Sequence, residues 1–497
     1  MRFRYGRRPT GRKGWSLELM SPLEIALIAA LLLLIGGAVW VAYREPEETI
    51  FFNPLTILSA VFGYYFVVGP LIALSMGNTN AYRIEFRDSM WKAWLAGAVG
   101  LASIFCGFAI RTRRARVRLV EGADRKLRFI LGRSFWVLVC LGLLGFGYDA
   151  YVSGRPLSDL LMPFHFGTAS MSTERQGIAA GNYLFLLINT FIPAMCILTI
   201  LTDGRPLLKR LVIVGLPTAQ VVLYYITLGF RHRIVILVIA VVATAFLVRG
   251  KRPSPWMIVL GAAGLVLMAG VVGLTRSYGE GLDLGQIMGM SLSQIFLGGF
   301  SDSGTFFTTA LIIDSVPRVF PFSGFNPFLV ALTIPVPRGF WPSKPEPISN
   351  IYLAHLTGTT GQALPIVGEH YIAAGWIGIV VGGVIVGIIY RWFWDFYRSN
   401  PRNPMVIAIY AVSWALCFPV VNRGYLAQTL MEFFFDLMPL VALFWICRRS
   451  MRIRTGRREM DETDFPPDEF PEDTGAGPSS GEVANDGPSL SDSNSRS

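Results

Sequence analysis

Apolar residues in this chain come in long blocks, separated by short polar turns that are often basic. A bilayer core takes about 20 apolar residues per helix. Blocks that meet this length lie at roughly 22–43, 52–76, 91–110, 129–150, 183–202, 211–229, 232–248, 255–274, 372–392, 404–422 and 428–447. The pattern predicts an all-α polytopic integral membrane protein with about eleven transmembrane helices, in a range of ten to twelve. It divides the chain into a basic tail (1–21), eight helices (22–274), a large loop (275–371), three helices (372–447) and a tail (448–497). Within the large loop, Leu284, Ile287, Met288, Leu292, Ile295 and Phe296 recur at helical spacing. These segments are too short to span and are interrupted, for example by "SDSG" at 301–304. They predict amphipathic helices lying along the outer membrane face. The last tail is acidic and rich in Pro, Gly and Ser, a composition that predicts disorder.

Composition agrees with this class: 53% of the 497 residues are hydrophobic and 15% are charged. The net charge of +11 hides an asymmetry, because from Glu459 onward eleven acids face the single Arg496. The rest of the chain is strongly cationic, as cytoplasmic loops of membrane proteins are. No basic, aromatic soluble domain is present to carry nucleic acid, so none is expected as a partner. The five cysteines all lie in apolar blocks, and the four histidines have no close metal-ligand spacing. The first block begins past residue 20 without a cleavage-like end, so it is read as an anchor and not a signal peptide.

Lys and Arg set the orientation. "RTRRARVRLVEGADRKLR" (111–128), "DGRPLLKR" (203–210), "RGKRP" (249–253), "RSNPR" (398–402) and "RRSMRIRTGRR" (448–458) fall on one side when the blocks alternate, and that side is cytoplasmic. The N-terminal cations Arg2, Arg4, Arg7, Arg8, Arg12 and Lys13 fall on the other side. Two readings stay open: segment 52–76, with Pro54 and Gly69-Pro70, makes a re-entrant or double pass, or the basic tail is translocated.

Several ionisable residues then face outward: Arg231, His232 and Arg233, Arg276, Arg338 and Lys344, Glu369 and His370, and Arg423. Cations on the side that the bias disfavours call for a reason. A lone Arg at a helix end reaches lipid phosphate by default. Recurrence at four outer turns favours a shared anionic ligand, since guanidinium binds phosphate oxygens bidentately. Glu432 and Asp436, four apart in the outer half of the last block, read as counter-ions. His165, His232 and His355 read as structural or solvated. The stretch "PVPRGFWPSKPEP" (335–347) holds five prolines in thirteen residues and cannot cross a bilayer unaided. Phe340, Phe325, Phe328, Trp341 and Tyr352 surround it, as an interface belt or as stacking surfaces for sugars.

Four of these stretches together resemble the O-antigen polymerase (Wzy-type) family of oligosaccharide repeat-unit polymerases. They are Gly229-Phe230-Arg231 opening a helix, Arg276 closing the next, "PRGFWPSKP" (337–345), and "GEHYIAAG" (368–375) leading into a helix. The proline motif is the specific one, and the similarity covers roughly residues 50–450. The resemblance implies a GT-C-like glycosyltransferase of the bacterial inner (cytoplasmic) membrane, metal-independent and without cofactor, with its active site facing the periplasm. It would join undecaprenyl-diphosphate-linked oligosaccharides into surface polysaccharide. Its partners would be that substrate, membrane lipid, and the chain-length regulator and flippase of the pathway. Arg338, Glu369 and His370 are then expected to be catalytic, with Glu369 first and His370 second as proton acceptor. Arg231, Arg233, Arg276, Trp341, Lys344 and Arg423 are expected to bind substrate. A ligase moving finished chains to another acceptor shares this donor chemistry. A lipid-linked sugar transporter or flippase is the reading from a different class.

Overall fold

The computed structural model describes residues 20–44, 51–81, 84–112, 124–153, 164–165, 183–227, 231–277, 281–300, 304–333, 336, 341, 343–346, 348–358 and 363–449. The five N-terminal helices long and apolar enough to cross a membrane are α1 (Pro22–Tyr43), α2 (Pro54–Ser75), α3 (Arg87–Ala109), α4 (Arg125–Val152) and α5 (Leu184–Leu201). Three more follow: α6 (Leu207–Thr227), α7 (Arg231–Arg249) and α8 (Pro255–Val272). The large loop contributes five short helices: α9 (Leu284–Gly289), α10 (Leu292–Phe300), α11 (Gly304–Ser315), α12 (Asn326–Thr333) and α13 (Ile348–Thr357). The last three long helices are α14 (Ile366–Ser399), α15 (Pro404–Arg423) and α16 (Leu426–Arg449). Among the described residues the eleven long helices coincide, block for block, with the eleven apolar blocks of the sequence, and the protein is a helical, multi-pass membrane protein.

Contacts at the helix ends sort these helices by direction. At one end, Thr112 donates from its backbone N–H and its hydroxyl to Asp395 Oδ2 (3.2 and 3.0 Å), which also accepts from Arg391 Nε at 2.9 Å. Asp203, just past α5, lies 3.5 Å from Arg210 and 3.8 Å from Arg249. This is the end that carries the basic turns. At the opposite end Arg87 makes a two-nitrogen ion pair with Glu24, so α1 and α3 start together. Ser21 caps α1 there in a reciprocal capping box with Glu24.

Segment 52–76 makes neither a re-entrant loop nor a double pass. It is one helix, α2, of 22 residues, started by Asn53 as N-cap with Pro54 in the first turn. A π turn at Tyr64–Val68 absorbs the Gly69-Pro70 pair without breaking it. Trp94 of α3 donates its indole N–H to the Phe66 carbonyl within that turn (2.8 Å). Because α1 and α3 start at one end, three passes separate residue 21 from Arg111.

The bundle closes where small residues let backbones approach. On α3, Gly100, Ser103 and Gly107 face Gly383 and Gly387 of α14. A Cβ on Gly107 would strike the Val384 backbone, and one on Gly387 the Ile104 carbonyl.

The loop helices differ from expectation. α10 and α11 pack against the long helices, α11 buried and α10 largely exposed on its other side. α10 runs antiparallel to α8, with Gly270 against the Ile295 carbonyl and Gly299 against the Val266 carbonyl, and Tyr64 in the middle of α2 donates to the Gly299 carbonyl. α11 returns beside α2 and α3: Phe306 meets Phe66 and Trp94 (centroids 6.0 and 5.2 Å), and Asp314 ends level with Ser89 and Lys92, which both bond to it. The run Thr305–Ile313 is buried throughout. Hydropathy alone predicted surface helices because each piece is too short to span. Pairing two short pieces into a hairpin lets them pack against the long helices without spanning.

A second break lies in α14. Ala374 and Gly375 leave helical geometry, with Gly375 at φ +63°. The first turns, Ile366–Ala373, fold back beside the helix they precede, so the His370 ring packs over Gly382. The Ser323 and Gly324 N–H groups hold the fold by donating to the Ile372 and Ala373 carbonyls (2.9 and 3.0 Å). A small three-stranded sheet, β1 (Phe164–His165), β3 (Gly281–Asp283) and β2 (Arg276–Ser277), joins the loop after α4 to the loop after α8.

Candidate functional site: a buried charge cluster

α7 begins with Arg231-His232-Arg233, so the three cations enter the bundle on successive helical positions, about 100° apart. They diverge accordingly. Arg231 reaches α8, with Nη1 3.5 Å from the Ala269 carbonyl. His232 and Arg233 turn inward and are only 8% and 7% exposed. Arg233 stacks its guanidinium over the Phe185 ring of α5, 5.2 Å from the centroid.

Opposite them stands α16. Glu432, 6% exposed, has Oε1 3.7 Å from His232 Nε2 and accepts from Gln428 Nε2 at 2.8 Å. Asp436 is fully buried, and neither of its oxygens has a hydrogen-bond partner among the described residues. It sits in a π turn, Phe433–Leu437, a kind of helix irregularity that concentrates at functional sites. Arg233 bears electrostatically on both acids, and Arg423, half-buried at the end of α15, bears on Glu432. Tyr225 of α6 donates to the Ile188 carbonyl (3.1 Å) and lies within electrostatic range of both Arg233 and Asp436.

Glu369 joins this neighbourhood from the folded-back start of α14. It is buried, and its Oε2 accepts the Leu426 backbone N–H at the start of α16. Tyr425, beside it, interacts with Glu369, Glu432 and Arg423 alike. A carboxylate at a helix start satisfies an orphan donor and complements the helix dipole.

Of the residues singled out from sequence, Arg233 and Arg423 both bear on Glu432, and Glu369 stands at the start of the same helix, with His370 next to it but facing Gly382. Arg231 is turned to α8. Lys344 is buried and donates to the Val336 carbonyl (3.0 Å), closing a turn in which Trp341 Nε1 donates to Ser343 Oγ (3.0 Å). Its ammonium reaches back across the proline segment to Val336. Trp341 stays exposed, at 40%. Arg338 and the side chain of Arg276 lie outside the described residues; the Arg276 backbone pairs with Leu282. Tyr352 stacks on Phe320 and donates to the Pro321 carbonyl (2.9 Å).

His232, Glu432 and Asp436 were given lesser roles by sequence. Their signal was present, since ionisable residues inside a spanning helix point to function by default. What hid them was the apparent surplus of outer cations, which made two acids look like counter-ions. Asp436 lies ten residues into α16, about 15 Å below its start at 1.5 Å per residue, so the acids belong to the interior and not to the rim. Among the described residues no group of three His, Cys, Asp or Glu comes together to hold a metal ion. No family model matches the chain, and no solved structure matches it.

Proposed function

We propose that this protein is a membrane glycosyltransferase, GT-C-like in class, that polymerises undecaprenyl-diphosphate-linked oligosaccharide repeat units at the periplasmic face of the bacterial inner membrane. The observation that carries the reading is the cluster in which Arg233 and Arg423 bear on Glu432 of α16, whose start Glu369 caps, in a chain whose proline segment resembles that of the Wzy-type polymerases. With the basic end cytoplasmic, the starts of α7 and α16, which carry this cluster, would lie at the periplasmic end.

The chemistry follows from the leaving group. The bond between the anomeric carbon and the diphosphate breaks, and its electron pair stays on the phosphate oxygen. A new bond forms from that carbon to a hydroxyl of the second lipid-linked unit, whose proton passes to a nearby base. Guanidinium groups fixed near the departing diphosphate stabilise its charge, and one such donor is typically worth about 10²–10³ in rate. Arg338 with Arg231 or Arg276 would hold the diphosphate, Glu369 would accept the proton with His370 second, and Trp341 would pack on sugar. The prolines hold Arg338 at little ordering cost on binding. Transfer of finished chains to another acceptor uses the same donor half-reaction.

Arg338→Ala, Glu369→Ala and Arg276→Ala, each in a deletion strain, should abolish or shorten the surface-polysaccharide ladder on a gel. Normal ladders from all three at normal protein levels would overturn the assignment.

One set of observations favours a transporter as the second reading: charges buried between helices and broken helices, at α14 and in the π turns, are the features of substrate paths. Deletion separates the two. Single repeat units on lipid accumulating at the periplasmic face support polymerisation, and accumulation at the cytoplasmic face supports transport.

A further inference from the structure

The fully buried part of the cluster does not balance in charge. Arg233 brings one fixed positive charge, while Glu432 and Asp436 bring two carboxyl groups. Arg423 is half-exposed and bears on Glu432 but not on Asp436. The other titratable groups around the cluster are Tyr225 and Tyr224 of α6, Cys196 of α5, Tyr390 of α14, Tyr425 at the start of α16 and His232 of α7. Among these only His232 is able to carry a positive charge. An uncompensated ion inside a protein is costly enough that the site acquires a counter-charge. The oxygens of Asp436 have no donor among the described residues.

We infer that His232, Glu432 and Asp436 form a binding site for one exchangeable proton inside the bundle, with Arg233 bearing on both acids. The proton resides on an acid or on His232, whose Nε2 is 3.7 Å from Glu432. His232 stands on the second residue of α7 and faces Glu432 of α16. Asp436 lies one turn further along α16, in the π turn. In the polymerisation reaction such a site would take up the proton of the acceptor hydroxyl. That role rests on the proposed function; the site itself does not.

The test is infrared spectroscopy of the full chain in lipid nanodiscs at neutral pH, where exposed carboxylates are ionised. A protonated-acid C=O band should be present, shift in D2O, and be lost in Asp436→Asn or Glu432→Gln. If the proton sits on His232, the band is absent from the wild type and appears in His232→Gln. A band unchanged in both acid variants would overturn the inference, as would its absence from both the wild type and His232→Gln. The amide bands of each variant report whether it folds, and the conservative Glu432→Gln keeps Gln428's partner in place. The polysaccharide ladder is read separately, so failure of the polymerase reading is distinct from failure of the proton site.

Discussion

Glu369 shows how one side chain can serve two masters in a membrane interior. Its carboxylate holds the Leu426 N–H, which ties the folded-back start of α14 to the start of α16. Loss of a capping oxygen costs about 1 kcal/mol, and a buried, water-free helix start magnifies the effect of leaving its donor unpaired. Glu369→Gln keeps an oxygen that can accept the same bond, whereas Glu369→Ala removes it. Thermal melts of the purified protein should therefore place Gln near wild type and Ala clearly lower. If Glu369 also accepts the proton in the reaction, Glu369→Gln stays folded and still loses the polysaccharide ladder. A normal ladder in Glu369→Gln would make Glu369 a brace only. The sequence marked this residue through its Glu-His pair before a helix, and the acid does cap the helix that carries the cluster. It could not show that the helix starts six residues earlier and doubles back, because that depends on Gly375 adopting φ +63° and on two backbone bonds from Ser323 and Gly324.

At the scale of helices, what held from sequence is what hydropathy measures. Each of the eleven long helices has enough apolar length to be found alone. The hairpin of α10 and α11 was missed because its stability is pairwise: neither piece spans, and the two are held only by packing on α8, α2 and α3. The same pairwise logic makes the α3–α14 contact sensitive to size. Gly107→Leu or Gly383→Leu forces a side chain into a neighbouring backbone, and overpacking of this kind costs about 1–3 kcal/mol. Gly36 of α1 and Gly261 of α8 have open space around them. Gly36→Ala and Gly261→Ala should hold or raise the melting temperature, since Ala is favoured over Gly in a helix by about 1 kcal/mol, while the two leucine variants lower it. Equal melting of Gly107→Leu and Gly36→Ala in the same detergent would mean that α3 and α14 do not pack through their glycines.

Across the whole molecule, the pair of Arg87 with Glu24 settles a conflict that charge counting leaves open. The basic N-terminal residues and the basic turn from Arg111 both favour the cytoplasm, but with α1 and α3 starting at one end they lie on opposite sides of any membrane that the bundle spans. The turns at Arg111, Arg205, Arg249, Arg398 and Arg448 all share one end and outweigh the single N-terminal group, and downstream charges can override the first helix. The protein is thus expected to place Met20 outside, together with the proline segment. Impermeant thiol labelling of intact cells can check this. Cys196, Cys417 and Cys447 are buried, and Cys106 and Cys140, which lie on spanning helices, can be changed to Ala. In that background Met20→Cys and Ser343→Cys should label in intact cells, and Arg402→Cys only after permeabilisation. Labelling of Met20→Cys together with Arg402→Cys would break the three-pass arrangement of α1 to α3. Labelling of Ser343→Cys only after permeabilisation would turn the bundle over, and the end of the bundle that carries the charge cluster would then face the cytoplasm, against the proposed function.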